Sequence, residues 1–487
     1  MRCLPFLRGI FFLLFLFNAF LAAAQLKLPA VFSDNMVLQR DKPLTIWGTA
    51  TPNEDVTVSF SSQQKTVKAS LTGTWQIVLS PLTASSTPQD LVIKSDNTIT
   101  FHNVLVGDVW LCSGQSNMEY PLDRKSKRYA VPAKGTDLSL EELQKTGKPD
   151  GIRYLYVEKI LSKAPLLPTK GWANGDDTIL RFVSAIGYFF AKEIHEETKV
   201  PIGIISSSWG GTRIEQWTPD WTYQSSPVFK DSVKGFVYTI DGMHPGQMYK
   251  GMIEPLIPFA IKGVLWYQGE SNCMVEDQAT YPEKFRLFVK SWREQFKDDK
   301  LPFYTVEIAP YSYTTRRDPK KHSPELLPEF WEAQTKCLSV VPNTEMVITT
   351  DLVDNLSDIH PSYKWIVAHR LALTALAKSY GKTSLVYSGP VYKSLKRKKN
   401  GIELSFTNIG SGLASSDTTK PLSWFSIAGE DGKFVPATAV IEGDKVIVSS
   451  PEVTKPRQVR FAWHETAQPN FINKEGLPAA PFQTGDR

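Results

Sequence analysis

The hydrophobic pattern divides the chain into three stretches that predict different structures. Residues 25–105 contain short β-type runs, among them Leu44–Trp47 and Val56–Phe60, separated by Pro, Gly, Asn and Asp residues typical of turns. From residue 106 to residue 383, near-continuous apolar runs alternate with segments of helical periodicity. Residues 384–487 return to β-type runs such as Gly401–Phe406. We therefore predict an N-terminal β-sandwich-like module, a central α/β domain and a C-terminal β region.

The middle stretch favours an α/β fold in which helices cover both faces of a parallel sheet. Its six strand candidates share an almost uninterrupted apolar composition, and they are Asp108–Cys112, Ile152–Val157, Ile202–Ser206, Gly263–Tyr267, Phe303–Ile308 and Met346–Thr350. Helical periodicity marks the segments Ser184–Thr198, Ala279–Phe296 and Pro361–Tyr380. Because functional groups in such sheets gather at the carboxyl ends of the strands, we expect the chemistry there.

The first 24 residues have the pattern of a secretory signal peptide. Arg2 and Arg8 precede the apolar run Ile10–Ala24, which ends in three alanines. The alternative is an uncleaved membrane anchor, which the short run and its small closing residues disfavour. No later stretch offers the roughly 18 consecutive apolar residues of a membrane span. We therefore expect a mature chain that begins at Gln25 and is periplasmic or secreted.

Composition and charge exclude several classes of protein. The chain has 487 residues, 42% of them hydrophobic and 22% charged, which is far from the composition of a disordered chain. The formal net charge of +5, lowered to +3 without Arg2 and Arg8, is too small for a nucleic-acid-binding protein. Loss of Cys3 leaves three cysteines, too few for a disulfide framework. We expect buried thiols, with a Cys112–Cys273 pair as the alternative.

The first polar cluster is Gly114-Gln-Ser-Asn-Met118, directly after the first strand candidate of the middle stretch. Ser116 therefore stands at the carboxyl end of a strand, where its hydroxyl reaches solvent and backbone N–H groups can converge on an oxyanion. This is the placement of a serine nucleophile. The alternative is an ordinary strand-to-helix turn with Ser116 as the helix N-cap.

A serine nucleophile needs a base, and histidine is the usual base near neutral pH. Of the seven histidines, His360 follows the last apolar strand and a polar loop, at the sheet edge expected for the serine. His244 is the alternative base. Asp358, two residues before His360, is a candidate for orienting the imidazole, and Asp354 and Asp351 are alternatives in the same loop.

Two further polar clusters also end strand candidates. Gln268 and Asn272 carry amide groups suited to an oxyanion hole, and the paired glycines Gly210 and Gly211 can present backbone N–H groups. Glu270 raises an alternative, because a carboxylate paired with an aspartate of the His360 loop would suit glycoside hydrolysis. No Cys/His spacing indicates a metal site, and no Gly-rich loop indicates a nucleotide.

Five motifs occur in combination, and they are Gly114-Gln-Ser-Asn-Met118, Trp209-Gly-Gly-Thr212, Tyr249-Lys-Gly-Met-Ile-Glu-Pro-Leu256, Trp266-Tyr-Gln-Gly-Glu-Ser-Asn272 and Asp358-Ile-His-Pro361. Together they resemble the sialate O-acetylesterase family of SGNH hydrolases, and the run Val31–Arg40 is similar to that family's N-terminal β module. The resemblance implies an SGNH-hydrolase (flavodoxin-like) fold. It also implies that Ser116 is the nucleophile, His360 the base and Asp358 the acid.

The resemblance further implies that the oxyanion donors are the N–H group of Ser116, a glycine of the pair Gly210 and Gly211, and Gln268. Two positions depart from the wider superfamily pattern. Gln115 stands where many relatives carry Asp, and the acid precedes the histidine by two residues where three are common. A dyad without the acid is therefore an alternative.

The implied reaction is hydrolysis of O-acetyl esters of sialic acids, with no cofactor and no metal. We expect Asn117, Arg213, Trp217, Glu270 and Asn272 to bind the substrate, an O-acetylated sugar or glycan. One alternative is an acetylesterase that acts on acetylated xylan or another polysaccharide. The other is an exported carbohydrate-binding protein without turnover.

Overall fold

The computed structural model describes residues 25–145, 151–161, 167–175, 178–235, 237–317 and 320–485. The expected signal peptide, residues 1–24, lies outside the described residues. Among the helices of the described ranges, none combines the length and the apolar content that a bilayer crossing requires.

The N-terminal module is made of β-strands, as predicted. Its strands, including one that it shares with the central sheet, are β1 (Val37–Gln39), β2 (Leu44–Thr49), β3 (Asp55–Phe60), β4 (Gln63–Lys68), β5 (Thr74–Leu79), β6 (Ser85–Lys94) and β7 (Thr98–Gly114). Burial alternates along β2, β3 and β5, and in β5 the buried side chains are Trp75, Ile77 and Leu79. One face of each such strand therefore packs on the core while the other faces solvent.

Strand β7 joins the N-terminal module to the central sheet without a break. Its first half pairs antiparallel with β6, and its second half, from Asp108 to Gly114, pairs parallel with two strands of the central sheet. Side chains become fully buried from Val104 onward. The boundary expected between residues 105 and 106 thus falls inside one continuous strand.

The central sheet has the predicted α/β architecture. Its other strands are β8 (Ile152–Tyr156), β9 (Trp172–Ala173), β10 (Ile202–Ser208), β11 (Gly263–Tyr267), β12 (Phe303–Val306) and β13 (Thr344–Val347). The strand order is β13-β12-β11-β7-β10-β8-β9, and every pairing is parallel except that of the edge strand β9. The six predicted strands are confirmed, with shifts of a few residues at some ends.

The helices of the described residues are α1 (Ser116–Glu119), α2 (Leu138–Gln144), α3 (Ala185–Thr198), α4 (Ile214–Trp217), α5 (Gln247–Met252), α6 (Glu270–Cys273), α7 (Tyr281–Phe296), α8 (Leu326–Val340) and α9 (Lys364–Ser379). The three predicted helices are confirmed as α3, α7 and α9, whereas α8 was not anticipated. Phe190 of α3 packs on Trp110, and Phe288 of α7 packs on Trp266. Ser113 is three residues after Trp110 on β7, so the two side chains point to opposite faces of the sheet. Trp266 pairs with Ser113 and shares its face. Helices α3 and α7 therefore cover opposite faces.

The C-terminal region forms small antiparallel sheets around a core of its own. Its strands are β14 (Val391–Lys398), β15 (Gly401–Thr407), β16 (Leu413–Ser415), β17 (Phe425–Ala428), β18 (Phe434–Pro436), β19 (Thr438–Glu442), β20 (Lys445–Ser449), β21 (Gln458–Phe461), β22 (Phe471–Asn473) and β23 (Phe482–Gln483). Lys398 pairs with Gly401, so the two residues between them form the turn that joins β14 and β15.

The three cysteines of the described residues, Cys112, Cys273 and Cys337, are all buried and free. The alternative Cys112–Cys273 disulfide is therefore wrong. Burial raises the pKa of each thiol above its ordinary value, because a thiolate loses its solvation in the core. The thiols therefore pack as small apolar groups.

Candidate active site

Three of the predicted polar clusters begin at the same level of the sheet. Gly114, the last residue of β7, is in register with Ser208 of β10 and with Tyr267 of β11. Because these strands are parallel neighbours, the segments that follow them leave the sheet side by side. The candidate site is therefore at the carboxyl edge of the sheet, where open α/β folds bind their ligands.

A tight turn after β7 presents Ser116 at this edge. Gly114 has a φ of +136°, and a side chain there would bring a Cβ atom within 2.1 Å of the Tyr267 carbonyl oxygen. The next residue, Gln115, donates its N–H to that same oxygen at 2.9 Å and is the N-cap of α1. The turn needs glycine at position 114, and it starts a short helix with Ser116 at the first position.

His360 faces the hydroxyl of Ser116. Its Nε2 atom lies 2.9 Å from Ser116 Oγ, and its Nδ1 atom lies 3.3 Å from Asp358 Oδ1. The backbone N–H of His360 also donates to Asp358 Oδ1, at 2.9 Å. The contact with His360 lowers the pKa of Asp358, against the opposing effect of burial, so the carboxylate stays ionised beside the ring.

The alternative acids and the alternative base have other partners. Asp351 forms a bidentate ion pair with Arg370. Asp354 accepts hydrogen bonds from the N–H of Ala133 at 2.7 Å and from a tyrosine hydroxyl at 2.9 Å. His244 has its Nδ1 atom 3.3 Å from the carbonyl oxygen of Tyr238. The hydrogen bond to Ser116 and the aspartate contact thus come together at His360.

The two glycines predicted to donate to an oxyanion lie in the turn after β10. A Cβ atom on Gly210 would be 3.1 Å from Ser116 Cβ, so the turn approaches the serine closely. The N–H of Gly210 donates to Glu119 Oε2 at 2.6 Å. Across the described part of the chain, no acceptor engages the N–H of Gly211.

Glu119 connects the Gly210 turn to two lysines. Its Oε1 atom accepts hydrogen bonds from Lys127 and, at 2.7 Å, from Lys159. Burial acts to raise the pKa of Glu119, but the hydrogen bonds from the lysines hold it below its ordinary value. The carboxylate is therefore ionised and neutralised, and it ties the turn to α1.

Gln268 lies in a buried amide network rather than on the surface of the site. Only 1% of it is exposed, and its Nε2 atom donates to Asn272 Oδ1 at 2.7 Å and to Gln115 Oε1 at 3.2 Å. The Oε1 atom of Gln115 also accepts the N–H of Ser271, at 3.2 Å. The donors of Gln268 are thus engaged in joining the turns that follow β7 and β11.

Asn272 lies against a buried charged cluster. Its Nδ2 atom donates to Glu215 Oε2 at 3.1 Å and to Asp277 Oδ2 at 2.8 Å. Glu215, Asp277 and Asp241 are close enough together to ligate one metal ion. The ammonium of Lys284 contacts all three carboxylates and is itself fully buried, so a lysine offsets part of their negative charge.

Arg213 and Trp217, two expected substrate contacts, are buried. Arg213 is 5% exposed and donates to the carbonyl oxygen of Asp241 at 2.7 Å. Trp217 has no exposed surface, and its indole N–H donates to Thr212 at 2.9 Å. Both side chains therefore lie in the protein interior, where they hold the segment after Gly211 in place.

Asn117 and Glu270, also expected to contact substrate, bind each other behind the serine. Asn117 Nδ2 donates to Glu270 Oε1 at 2.5 Å and to the Ile359 carbonyl oxygen at 3.0 Å. Burial raises the pKa of Glu270, of which 1% is exposed. A carboxyl group so enclosed has no access to a glycosidic bond, which removes the geometric basis of the glycosidase alternative.

Two residues of the site were not anticipated from the sequence. The ring of Tyr129 lies 4.8 Å from that of His360, between centroids, and no motif marks it. Lys364 donates to Asn117 Oδ1 at 2.6 Å and is fully buried. A signal for Lys364 did exist, because helical spacing puts it on the same face as Val367 and Leu371, which are core residues.

Comparison with known proteins shows consistent similarity. Residues 165–376 match the family described as carbohydrate esterase, sialic acid-specific acetylesterase. The human sialate O-acetylesterase is 30% identical over an alignment of 399 residues, which covers 75% of this chain and 73% of that protein. The mouse enzyme is 30% identical over an alignment of 432 residues, which covers 75% of this chain and 76% of that protein.

A solved structure extends the similarity to nearly the whole chain. It is a carbohydrate acetylesterase from Xanthomonas citri, 35% identical, with a TM-score of 0.81 over 95% of this chain and 100% of the other. This agreement in fold, together with the sequence identity to the curated enzymes, makes the chain an esterase. The chain belongs to the sialate O-acetylesterase family of carbohydrate esterases.

Proposed function

We propose that this esterase is periplasmic or secreted and hydrolyses O-acetyl esters of sialic acids through an acyl-enzyme on Ser116, with His360 as base and Asp358 as acid. The observation that carries the proposal is the 2.9 Å contact between His360 Nε2 and Ser116 Oγ, backed by Asp358 at the other ring nitrogen. Both side chains of the pair Asp358 and His360 are partly exposed, so a substrate can approach them.

In the first half of the reaction His360 Nε2 takes the proton of the Ser116 hydroxyl while Oγ attacks the acetyl carbonyl carbon. The imidazolium then gives that proton to the departing sugar hydroxyl, leaving acetyl-Ser116. Water, deprotonated by His360, then attacks the acetyl carbonyl carbon, the bond from that carbon to Ser116 Oγ breaks, and the imidazolium returns the proton to Oγ as acetate leaves. Asp358 stabilises the imidazolium in both halves, since its lowered pKa keeps it ionised.

The backbone supports the developing oxyanion in this proposal. The N–H of Ser116 is the first of its helix and has no partner within that helix. Gly211 comes directly after Gly210, the glycine whose turn lies close to Ser116, and its N–H is the second candidate donor. We assign the oxyanion contacts to these two groups, because Glu119 engages the N–H of Gly210 and the amide of Gln268 is bonded elsewhere. One such donor contributes about 10²–10³-fold in rate.

The sialic acid preference is supported by the curated relatives and by a basic loop near the catalytic loop. The N–H of Ser312 donates to the carbonyl oxygen of Leu356 at 2.8 Å, which joins the two loops. Arg316 and Arg317, a few residues further on, are exposed. A guanidinium can bind the carboxylate of a sialic acid through two hydrogen bonds, whereas a neutral sugar offers no such group.

A second candidate substrate class is an acetylated neutral polysaccharide such as xylan. It is favoured by the similarity to the Xanthomonas citri protein, which is described as a carbohydrate acetylesterase without a named sugar. The chemistry at Ser116 would be unchanged. Export of the chain, under either candidate, rests on the signal-peptide pattern of residues 1–24.

The test is acetate release from O-acetylated sialic acids and from acetylated xylo-oligosaccharides, with Ser116→Ala as the control. We expect higher kcat/KM on the sialic acids, and a Ser116→Ala variant that folds but loses at least about 10⁴-fold in activity. Arg317→Ala should raise KM for the sialic acids alone. Equal or better use of the xylo-oligosaccharides would favour the second candidate, and binding without any turnover by the wild type would favour a carbohydrate-binding protein.

A further inference from the structure

Lys364 is a buried cation close to the catalytic residues that the reaction described above does not use. It is the first residue of α9, four residues after His360, and none of its side chain is exposed. Its Nζ atom donates to Asn117 Oδ1 at 2.6 Å. Asn117 in turn directly follows Ser116 in the chain, so Lys364 reaches the nucleophile segment through one side chain.

Asn117 joins three segments of the site. Its backbone belongs to α1 beside the serine, and its Nδ2 atom donates both to Glu270 Oε1 and to the carbonyl oxygen of Ile359. Ile359 lies between Asp358 and His360. The carboxamide therefore fixes the distance between the serine segment and the backbone that carries the acid and the base.

This arrangement works in only one orientation of the Asn117 carboxamide. If the group turned by half a rotation, its NH₂ would face the ammonium and its oxygen would face Glu270 and Ile359. Lys364 in its ammonium form has donors and no acceptor, and the Ile359 carbonyl accepts in every protonation state of the lysine. Lys364 on one side and these acceptors on the other therefore fix the orientation in which Asn117 holds the loop.

An ammonium at this depth has a cost that its surroundings offset in part. Its Nζ atom lies 4.8 Å from the centre of the Tyr120 ring and 5.5 Å from that of Tyr267, both favourable cation–π contacts. The negative groups that act on it are Glu270 and Asp358, yet burial prevails and lowers the pKa of Lys364 to about 7. An apolar side chain of similar length would fill the space without this cost, so packing alone does not account for the lysine.

We propose that Lys364 is a positioning residue, which sets the orientation of Asn117 and thereby holds the loop of Ile359 and His360 at the Ser116 hydroxyl. The proposal rests on the proposed acyl-enzyme function of Ser116. It assigns Lys364 no contact with substrate and no proton transfer in the reaction.

The test is a double-mutant cycle of Lys364→Met and Asn117→Ala, measured with an aryl acetate. Lys364→Met alone should lower kcat about 10–100-fold with KM within about threefold, because a catalytic group is misplaced while binding is kept. In the Asn117→Ala background the same substitution should lower kcat by less than about twofold, because Lys364 acts on the site through Asn117. Lys364→Arg, which keeps a donor, should recover part of the loss.

Controls separate positioning from general destabilisation. Lys378→Met, on the same helix but partly exposed and paired with Glu345, should leave kcat within about twofold. Should Lys364→Met fail to fold, Lys364→Gln takes its place, since the shorter side chain loses its reach to Asn117 and should lower kcat in the same way. Thermal unfolding of each variant checks that the loss is kinetic.

The outcomes distinguish this proposal from the proposed function. An unchanged kcat in Lys364→Met, or equal effects of the substitution with and without Asn117, would overturn the positioning role. If Ser116→Ala itself retained activity, the acyl-enzyme function would fail whatever Lys364 does. Loss in Ser116→Ala with no loss in Lys364→Met would leave the function standing and remove only the positioning role.

Discussion

The imidazole of His360 lies 2.9 Å from the hydroxyl of Ser116, although 244 residues separate the two in the chain. The contact forms because β7, which leads into Ser116, is a central strand of the sheet, and the loop of His360 returns to the same carboxyl edge before α9 begins. Asp358 contacts the other ring nitrogen of His360, Nδ1.

Asp358→Asn should lower kcat by about 10²–10⁴-fold, because an amide neither fixes the productive tautomer nor stabilises the imidazolium. The matched control is Asp354→Asn in the same loop, whose partners are a backbone N–H and a tyrosine hydroxyl. That variant should stay within about threefold of the wild type. Steady-state kinetics with an aryl acetate measure both. Near-normal kcat in Asp358→Asn would favour a Ser116–His360 dyad.

Tyr129→Ala should lower kcat about tenfold, because the ring packs on both His360 and Tyr120 and restricts the imidazole. The free energy of unfolding should fall by about 1 kcal/mol from the lost aromatic contacts. Tyr129→Phe keeps the ring and should behave like the wild type. Equal losses in the two variants would show that the hydroxyl, and not the ring, matters.

Gly210→Ala should lower kcat about 10–100-fold, since the added methyl group would lie 3.1 Å from Ser116 Cβ and 3.3 Å from Glu119 Oε2. The turn that carries Gly211 must then move away from Ser116. Gly429→Ala is a control in which the new Cβ meets neighbours no closer than 3.4 Å. Full activity of Gly210→Ala would contradict the close approach of the turn to the serine.

The buried Lys364 predicts a pH dependence of stability. Its pKa is about 7 in the folded chain, but near the ordinary lysine value of about 10.4 in the unfolded chain. Between these values the unfolded chain binds one more proton, so Lys364 makes the free energy of unfolding rise by about 1 kcal/mol per pH unit. Below about pH 7 both states are protonated and this contribution is flat.

Denaturant unfolding of the wild type and of Lys364→Met measures this slope as a difference. The free energy of unfolding of the wild type, minus that of the variant, should increase from about pH 7 to about pH 9. Lys378→Met is the control, because the pKa of Lys378 is raised and its ammonium stays charged in this range. A difference that is constant with pH would mean that Lys364 is not desolvated in the folded chain.

Sequence patterns were sufficient for the fold class and for the sheet edge that carries the polar clusters. Apolar runs predicted six of the seven strands that the described residues form in the central sheet, all but the short edge strand β9. The motif positions predicted that Ser116 and His360 lie at one edge. The continuity of β7 was not predictable, because a strand that changes partners midway has no distinct hydrophobic pattern. Helix α8 was missed although its buried residues are spaced for a helix.

The roles of the polar residues near the serine were harder to predict. Gln268 and Asn272 have the amide groups of an oxyanion hole, but the same groups satisfy buried turns and carboxylates, and only their burial distinguishes the two uses. Trp217 is equally ambiguous, since an indole suits a sugar face or a core. Lys364 could be found from its helical face, but not its partner Asn117, which is 247 residues away.

The most direct test of the account is to trap the acyl-enzyme and locate the acetyl group. The wild type is mixed with an aryl acetate, quenched in acid within milliseconds, digested and analysed by mass spectrometry. We predict one acetyl group on Ser116, which accumulates in a variant with slowed deacylation and is absent from Ser116→Ala. An acetyl group on another residue, or turnover that persists in Ser116→Ala, would contradict it.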